Sequence, residues 1–428
     1  MSGDALLFVN AAQVVTCAGP GRARLGNEMA DAVVQSGAAV LVEGNTIKEV
    51  GPERALRQSA AAATIVDCAG GVLTPGFADS HTHAIFGRAR YEEQELRAAG
   101  VKYMEIARRG GGIHASVRDL RTRSEDDLFS LAEPRLRALA ASGVTTVEVK
   151  SGYGLSLEDE LRTLRVIRRL SDALPMRIVP TWLGAHEIPL EYRERPDGRR
   201  AYLDLLLNDM LPVIARERLA QFADVFCEPG VFTVDESREI LSAARAAGLG
   251  IKMHADELTS GGAAELAGEL RATSADHLAA VSDAGIDALA AGGTVATLLP
   301  GTMLFLGKTT QAPARRLIDA GVPVALATDF NPGTSPTTNF PLILTLGVSQ
   351  LRLSVAEVLV AATVNGAAAL GIAASVGQLA PGYSADLALW DVRDVRELPY
   401  WYGAGRCRAS WARGKPCHVH DLALTFRS

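Results

Sequence analysis

The sequence predicts an α/β chain: a (β/α)8 TIM-type barrel with a small composite β-domain formed from both chain ends. Three observations lead there. Eight strand-like apolar runs alternate with helices that carry explicit start signals. Nearly every side chain with chemical potential falls at the C-terminal end of one of those runs, where such a barrel builds its active site. The two chain ends carry turn-and-strand patterns. A doubly wound sheet gives a similar alternation, and the placement of the polar residues favours the barrel.

At the N-terminal end, Ala39 to Glu43 and Thr46 to Val50 flank Gly44-Asn45 and read as a hairpin with a two-residue turn. At the other end, Gly377 to Trp390 reads as turn and strand. The expected division is residues 1–70 and 373–428 for the two halves of the β-domain and 71–372 for the barrel. Within the barrel the expected strands are Gly71 to Ser80, Thr145 to Lys150, Arg177 to Trp182 and Asp224 to Cys227. Gly250 to His254, Ala272 to Asp276, Thr294 to Leu299 and Val322 to Thr328 complete them. Ser156 with Asp159 opens a helix whose Leu161, Leu164, Ile167 and Leu170 form an apolar stripe. Thr233 with Glu236 opens another that closes near Gly248.

The 428 residues carry a net charge of −6 and no long basic block, which argues against nucleic acid or an anionic membrane as partner and favours a small-molecule substrate. No apolar run reaches the length of a membrane span, and the N-terminus lacks a basic n-region. The five cysteines are scattered without a Cys-x-x-Cys, so a reducing cytoplasm suits the chain better than a disulfide framework.

The chemistry is concentrated at the strand ends. His81-Thr82-His83 follows the first run; residues i and i+2 of a strand share a face, so both imidazoles can converge on one ion. The second run ends in Lys150-Ser151-Gly152-Tyr153, the third is followed by His186, and the fourth ends in Cys227-Glu228. The fifth ends in His254-Ala255-Asp256-Glu257, the sixth in Asp276-His277, and the eighth in Asp329 to Thr334. Five of the eight histidines sit at these ends. His81, His83, His254 and Asp329 make a donor set for one divalent ion, zinc or iron, with a position left for water. Such an ion lowers the pKa of its water and yields hydroxide near neutral pH. Asp329, His277 and Glu257 are the candidate catalytic groups: a proton acceptor, a group that polarises a carbonyl, and one that contacts or protonates a ring nitrogen. Competing readings are a core histidine for His254, a helix cap for Glu257 and a loop histidine for His186. Arg90 and Tyr153 are placed to hold a carboxylate, and Lys150 reads as a structural anchor.

Seven segments in order carry a resemblance. They are His81 to Gly87, Tyr103 to Ile106 with Gly110 to Ile113, Glu148 to Gly154, Leu183 to His186, His254 to Glu257, Ser274 to His277 and Ala327 to Gly333. Nearly end to end, the chain resembles the amidohydrolase superfamily and, within it, the imidazolonepropionase family of histidine degradation. The resemblance implies metal ligands His81, His83, His254 and Asp329. It also implies substrate contacts from Arg90, Tyr103, Tyr153, His186, Glu257, His277, Asn331, Gly333 and Thr334, and a homodimer. It implies hydrolysis of 4-imidazolone-5-propanoate to N-formimidoyl-L-glutamate by metal-activated hydroxide, with Arg90 and the tyrosines anchoring the propionate. The chain departs from the family pattern at Glu187 and Leu190, which bear on substrate preference. The fourth run ends without the lysine that binuclear relatives carbamylate, so one metal is expected.

Two other functions compete. A nucleobase deaminase shares the metal residues, but an aromatic base has no carboxylate for Arg90, Tyr103 and Tyr153. A non-catalytic scaffold has no need of a complete ligand set.

Overall fold

The computed structural model describes residues 5–101, 105 and 110–420. Its centre is an eight-stranded parallel sheet in which each strand pairs with the next. The strands are β1 (Phe77–Asp79), β2 (Val144–Lys150), β3 (Arg177–Ala185), β4 (Phe222–Cys227), β5 (Gly250–Ala255), β6 (Ser274–His277), β7 (Val295–Leu298) and β8 (Val324–Leu326). Its two edges meet just beyond the C-terminal ends of β1 and β8. Thr82 bridges Phe330 in parallel, the Asp329 amide donates to His81 O at 3.0 Å, and the His83 amide donates to Phe330 O at 2.8 Å. The backbone that brings the barrel edges together is therefore the backbone that carries His81, His83 and Asp329. One layer below, Asp79 accepts from the Thr328 amide at 3.0 Å and its hydroxyl at 2.6 Å.

The expected single strand from Gly71 to Ser80 is two strands in two sheets. Val72–Pro75 pairs with Leu387–Trp390 antiparallel and with Gln13–Val15 parallel, whereas β1 pairs with β2. The chain changes sheets at Gly76, whose amide donates to Asp386 O at 3.0 Å while the next amide, of Phe77, donates to Gly143 O at 2.9 Å. All residues from Val72 to Asp79 are buried, so the apolar run has no alternation to mark the break.

The chain ends do pair. A six-stranded sheet joins Val34–Gln35, Gln13–Val15 and Val72–Pro75, in that order, to Leu387–Trp390, Cys407–Ala412 and Lys415–Val419 through the pairing of Val72–Pro75 with Leu387–Trp390. A four-stranded sheet holds the expected hairpin, Ala38–Glu43 with Thr46–Pro52, beside Ala5–Val9 and Thr64–Asp67. Phe8, Val40, Leu73, Leu389 and Trp411 pack between them, with Phe8 and Trp411 edge to face at 4.9 Å.

Helix α1 (Leu157–Ala173) starts as expected: Ser156 Oγ accepts from the Asp159 amide, and Leu161, Leu164, Ile167 and Leu170 are buried. Each such leucine contributes about 1.5–3 kcal/mol of burial. Helix α2 (Val234–Ala246) starts in a Thr233/Glu236 capping box, and Gly248 follows its end with φ +90°. No helix among the described residues is long and apolar enough to cross a membrane.

Candidate metal centre and substrate site

Three imidazole nitrogens converge above the barrel core. Nε2 of His83 lies 3.3 Å from Nε2 of His81 and 3.4 Å from Nε2 of His254, and Asp329 Oδ1 lies 3.6 Å and 3.5 Å from Nε2 of His81 and His83. All four side chains are buried. The tautomers explain what the cluster is for. His81 Nδ1 faces Asp276 Oδ2 at 2.6 Å and His254 Nδ1 faces Asp224 Oδ2 at 3.0 Å; a carboxylate only accepts, so each Nδ1 carries the proton and each Nε2 presents a lone pair. The lone pairs of His81 and His254 face His83 Nε2 at 3.3 and 3.4 Å beside a carboxylate oxygen, and a buried set of imidazole and carboxylate donors this close fits a divalent metal. His277 also offers a nitrogen within 4.8 Å of donors on His81 and His254.

Under the histidines lies a buried ionic network from alternate inward positions of β2, β4, β5 and β6. Lys150 Nζ reaches Asp224 Oδ2 at 2.7 Å and Glu148 Oε2 at 2.8 Å. Lys252 Nζ reaches Glu148 Oε1 at 3.0 Å and Ser80 O at 2.8 Å, and both ammonium groups stand 3.8 Å from Asp276 Oδ2. Two lysines thus face three carboxylates, and two of those carboxylates hold metal-donor histidines. Burial, joined by the Asp224 and Glu148 charges, raises the Asp276 carboxyl, whereas burial is overridden at Asp224, which His254 and Lys150 hold well below the carboxylate range. The His254 ring responds in kind: burial lowers its pKa, Asp224 more than compensates, and the net shift is upward.

The backbone here is strained. His277 (φ +77°), Asp329 (φ +51°) and Asp256 (φ +46°) occupy the left-handed region, at about 1 kcal/mol or more each for a non-glycine residue. Asp329 Oδ2 accepts from the Thr302 hydroxyl at 2.6 Å, which leaves Oδ1 for the histidine cluster. Burial lifts the Asp329 pKa to about 6. Glu257 follows the β5 end, with its Oε2 3.6 Å from His277 Nε2 and 12 % of its side chain exposed; burial and then the Asp329 charge lift it to about 8. It does not cap the next helix. Asp256 does that, accepting from the amides of Gly261, Ala263 and Ala264, while Glu228 accepts from Leu258 N and Thr259 Oγ1; together they fix the loop that carries Glu257. Burial holds the His277 ring neutral, far below its usual pKa.

On the other side of the cluster His186 stacks on His83, with centroids 5.2 Å apart, and Tyr153 lies 5.3 Å from His186. His186 Nδ1 donates to Gly152 O at 2.9 Å, which directs its Nε2 lone pair outward. Arg90 is buried, its Nε and Nη2 paired with both oxygens of Glu93 at 2.9 and 2.8 Å, and its guanidinium packs on Gly333, where a Cβ would lie 2.5 Å from Arg90 Cζ. Asn331 organises the loop after β8: its Oδ1 accepts from the amides of Gly333 at 2.8 Å and Thr334 at 2.7 Å, and its Nδ2 donates to Asp329 O at 2.7 Å. Glu187 is tied to Arg193 at 2.6 Å, and Leu190 is exposed. The structure therefore gathers Arg90, Gly333 and the Asn331 loop on one side and Tyr153 with His186 on another, around the metal donors. Tyr103 lies outside the described residues.

Sequence reasoning missed Asp224, Asp276, Glu148 and Lys252 as parts of the site and took Lys150 for a plain anchor. The available signal was charge at inward strand positions, Glu148-x-Lys150 and Lys252-x-His254, where a barrel normally stacks apolar side chains.

Comparison with known proteins places the chain. A model described as "Amidohydrolase family" matches residues 104–418. E. coli guanine deaminase superposes with a TM-score of 0.74, covering 98 % of this chain and 99 % of that one at 14 % identity. An adenosine deaminase from Xanthomonas campestris with bound zinc superposes at 0.70, covering 99 % and 96 % at 19 % identity. At those identities the likeness is one of fold. Fold, family model and donor set define a hydrolase of the amidohydrolase class. The imidazolonepropionases of Geobacillus kaustophilus and Symbiobacterium thermophilum are 46 % and 48 % identical to the chain. The alignments cover 96 % of it in both cases, and 97 % and 96 % of the relatives. The chain belongs to the imidazolonepropionase family.

Proposed function

We propose that this enzyme hydrolyses the ring of 4-imidazolone-5-propanoate to N-formimidoyl-L-glutamate in histidine degradation, using one divalent metal, zinc or iron, bound by His81, His83, His254 and Asp329. The observation that carries the reading is the convergence of the Nε2 atoms of His81, His83 and His254 with Asp329 Oδ1, in a chain 46 % and 48 % identical to two imidazolonepropionases over 96 % of its length. A divalent ion there would supply the activated water. The end of β4, Asp224 to Glu228, offers no lysine for a second ion.

The protein groups divide the remaining work. Asp329 takes a proton as water adds to the ring carbonyl carbon. Glu257, near 8, keeps its proton and donates it to the ring nitrogen as the carbon–nitrogen bond breaks. Neutral His277 donates a hydrogen bond to the carbonyl oxygen as it gains charge. Arg90, Tyr103 and Tyr153 anchor the propionate. His186 and the loop of Asn331, Gly333 and Thr334 orient the ring. The Asp329→Ala variant tests the assignment: purified protein should lose turnover and metal together, and retention of either at the wild-type level contradicts it.

A further inference from the structure

The loop after β2 is shaped by a carboxylate with no catalytic assignment. Glu160, in the first turn of α1, is completely buried, and no ion pair involves it among the described residues. Its Oε1 instead accepts three backbone amides, from Gly152 at 3.1 Å, Gly154 at 2.8 Å and Leu155 at 3.0 Å. Three donors converging on one buried oxygen hold a backbone that would not otherwise keep its form: Gly152 has φ +107° and Leu155 φ +51°. At Gly152 a Cβ would lie 2.8 Å from Leu183 O and 3.0 Å from His186 Nδ1, so the loop packs directly against the β3 end.

The loop connects Glu160 to the site at two points. The Gly152 carbonyl accepts from His186 Nδ1 at 2.9 Å, which sets that ring's tautomer and orientation, and Tyr153 lies between the Gly152 and Gly154 amides that Glu160 holds. The rings of Tyr153 and His186 flank His83 at 6.0 and 5.2 Å. We infer that Glu160 is a positioning residue that holds residues 151–155 so as to present Tyr153 and aim His186 at the substrate. The inference rests on the proposed substrate contacts of those two residues. It makes substrate binding, rather than the chemical step or metal retention, the property that depends on Glu160. Burial raises the Glu160 carboxyl, and a glutamine keeps the accepting oxygen at the same reach, so glutamine is the conservative replacement.

The test is steady-state hydrolysis of 4-imidazolone-5-propanoate by the metal-loaded enzyme and its Glu160→Ala, Glu160→Asp and Glu160→Gln variants, with metal content measured on each. Expected is a KM raised about tenfold or more in Glu160→Ala and Glu160→Asp, with kcat within about threefold and metal content unchanged, and a near wild-type KM in Glu160→Gln. Should Glu160→Ala not fold, Glu160→Asp carries the test, since it keeps the charge and shortens the reach. Wild-type KM in the folded variant, a loss confined to kcat, or no rescue by glutamine overturns the inference. His186→Asn and Tyr153→Phe run beside them separate the two levels. Raised KM there with wild-type KM in Glu160→Asp defeats the positioning role alone, and wild-type KM in both defeats the contacts beneath it.

Discussion

Asp276 Oδ2 stands 2.6 Å from His81 Nδ1 and, by accepting its proton, decides that His81 meets the metal site through Nε2. Both groups are fully buried, so the pair is shielded from bulk water, and the ammonium groups of Lys150 and Lys252 stand farther from the same oxygen, at 3.8 Å. Asp276→Asn keeps the shape and removes the charge. The expected result is metal affinity lowered about 10- to 100-fold, read by competition with a chromogenic chelator. Unchanged affinity in a folded variant would show that the pair orients nothing.

Lys150 is in direct contact with Asp224 and Glu148, at 2.7 and 2.8 Å. Lys150→Met takes the ammonium from Asp224 and leaves Glu148 with Lys252 alone, and breaking a buried pair in this way destabilises by about 3–5 kcal/mol. The midpoint in urea should fall accordingly, and Lys150→Met/Glu148→Gln should recover part of the loss. Additive effects in the double variant would contradict the network.

The pH dependence of the metal-stripped protein follows from its buried groups. Glu257, at about 8 in the fold against an ordinary 4.5, binds a proton in the native state that the unfolded chain has released, so stability falls as pH rises towards 8. His81, His83, His186 and His277 are depressed below 6.5, so they contribute stability above that value that is lost as pH falls. Thermal unfolding should be most resistant near pH 6.5, and Glu257→Gln should flatten the decline between pH 7 and 8. An unaltered slope in that variant would remove the assignment of Glu257 as the protonated acid.

Arg90 presents one edge of its guanidinium to Glu93 while its face covers Gly333. Arg90→Ala should raise the KM for the propionate substrate by about tenfold or more with a smaller change in kcat, because a carboxylate anchor contributes mainly to binding. Normal KM would take Arg90 out of the substrate site.

Much of this was legible in the sequence because function sits where periodicity breaks. His81 and His83 stand out as i, i+2 partners after an apolar run, and His254 and Asp329 as polar residues ending buried strands. The helix starts at Ser156 and Thr233 were equally plain, since capping is local chemistry. The switch at Gly76 was not, because strands buried in two successive sheets read as one apolar stretch. Nor was the Lys150 network: its partner Asp224 lies 74 residues away along the chain, and the one local sign was charge at inward positions, Glu148-x-Lys150. The competing helix-cap reading of Glu257 falls to its neighbour: Asp256, one residue earlier, accepts from the amides of Gly261 and Ala264.

The most direct measurement is hydrolysis of 4-imidazolone-5-propanoate by the purified enzyme, with metal determined on the same sample and cytosine and guanine assayed beside it. The account predicts turnover of the imidazolone alone, with about one zinc or iron per chain. Turnover of a nucleobase in its place, or full imidazolone turnover in protein stripped of metal, would contradict it.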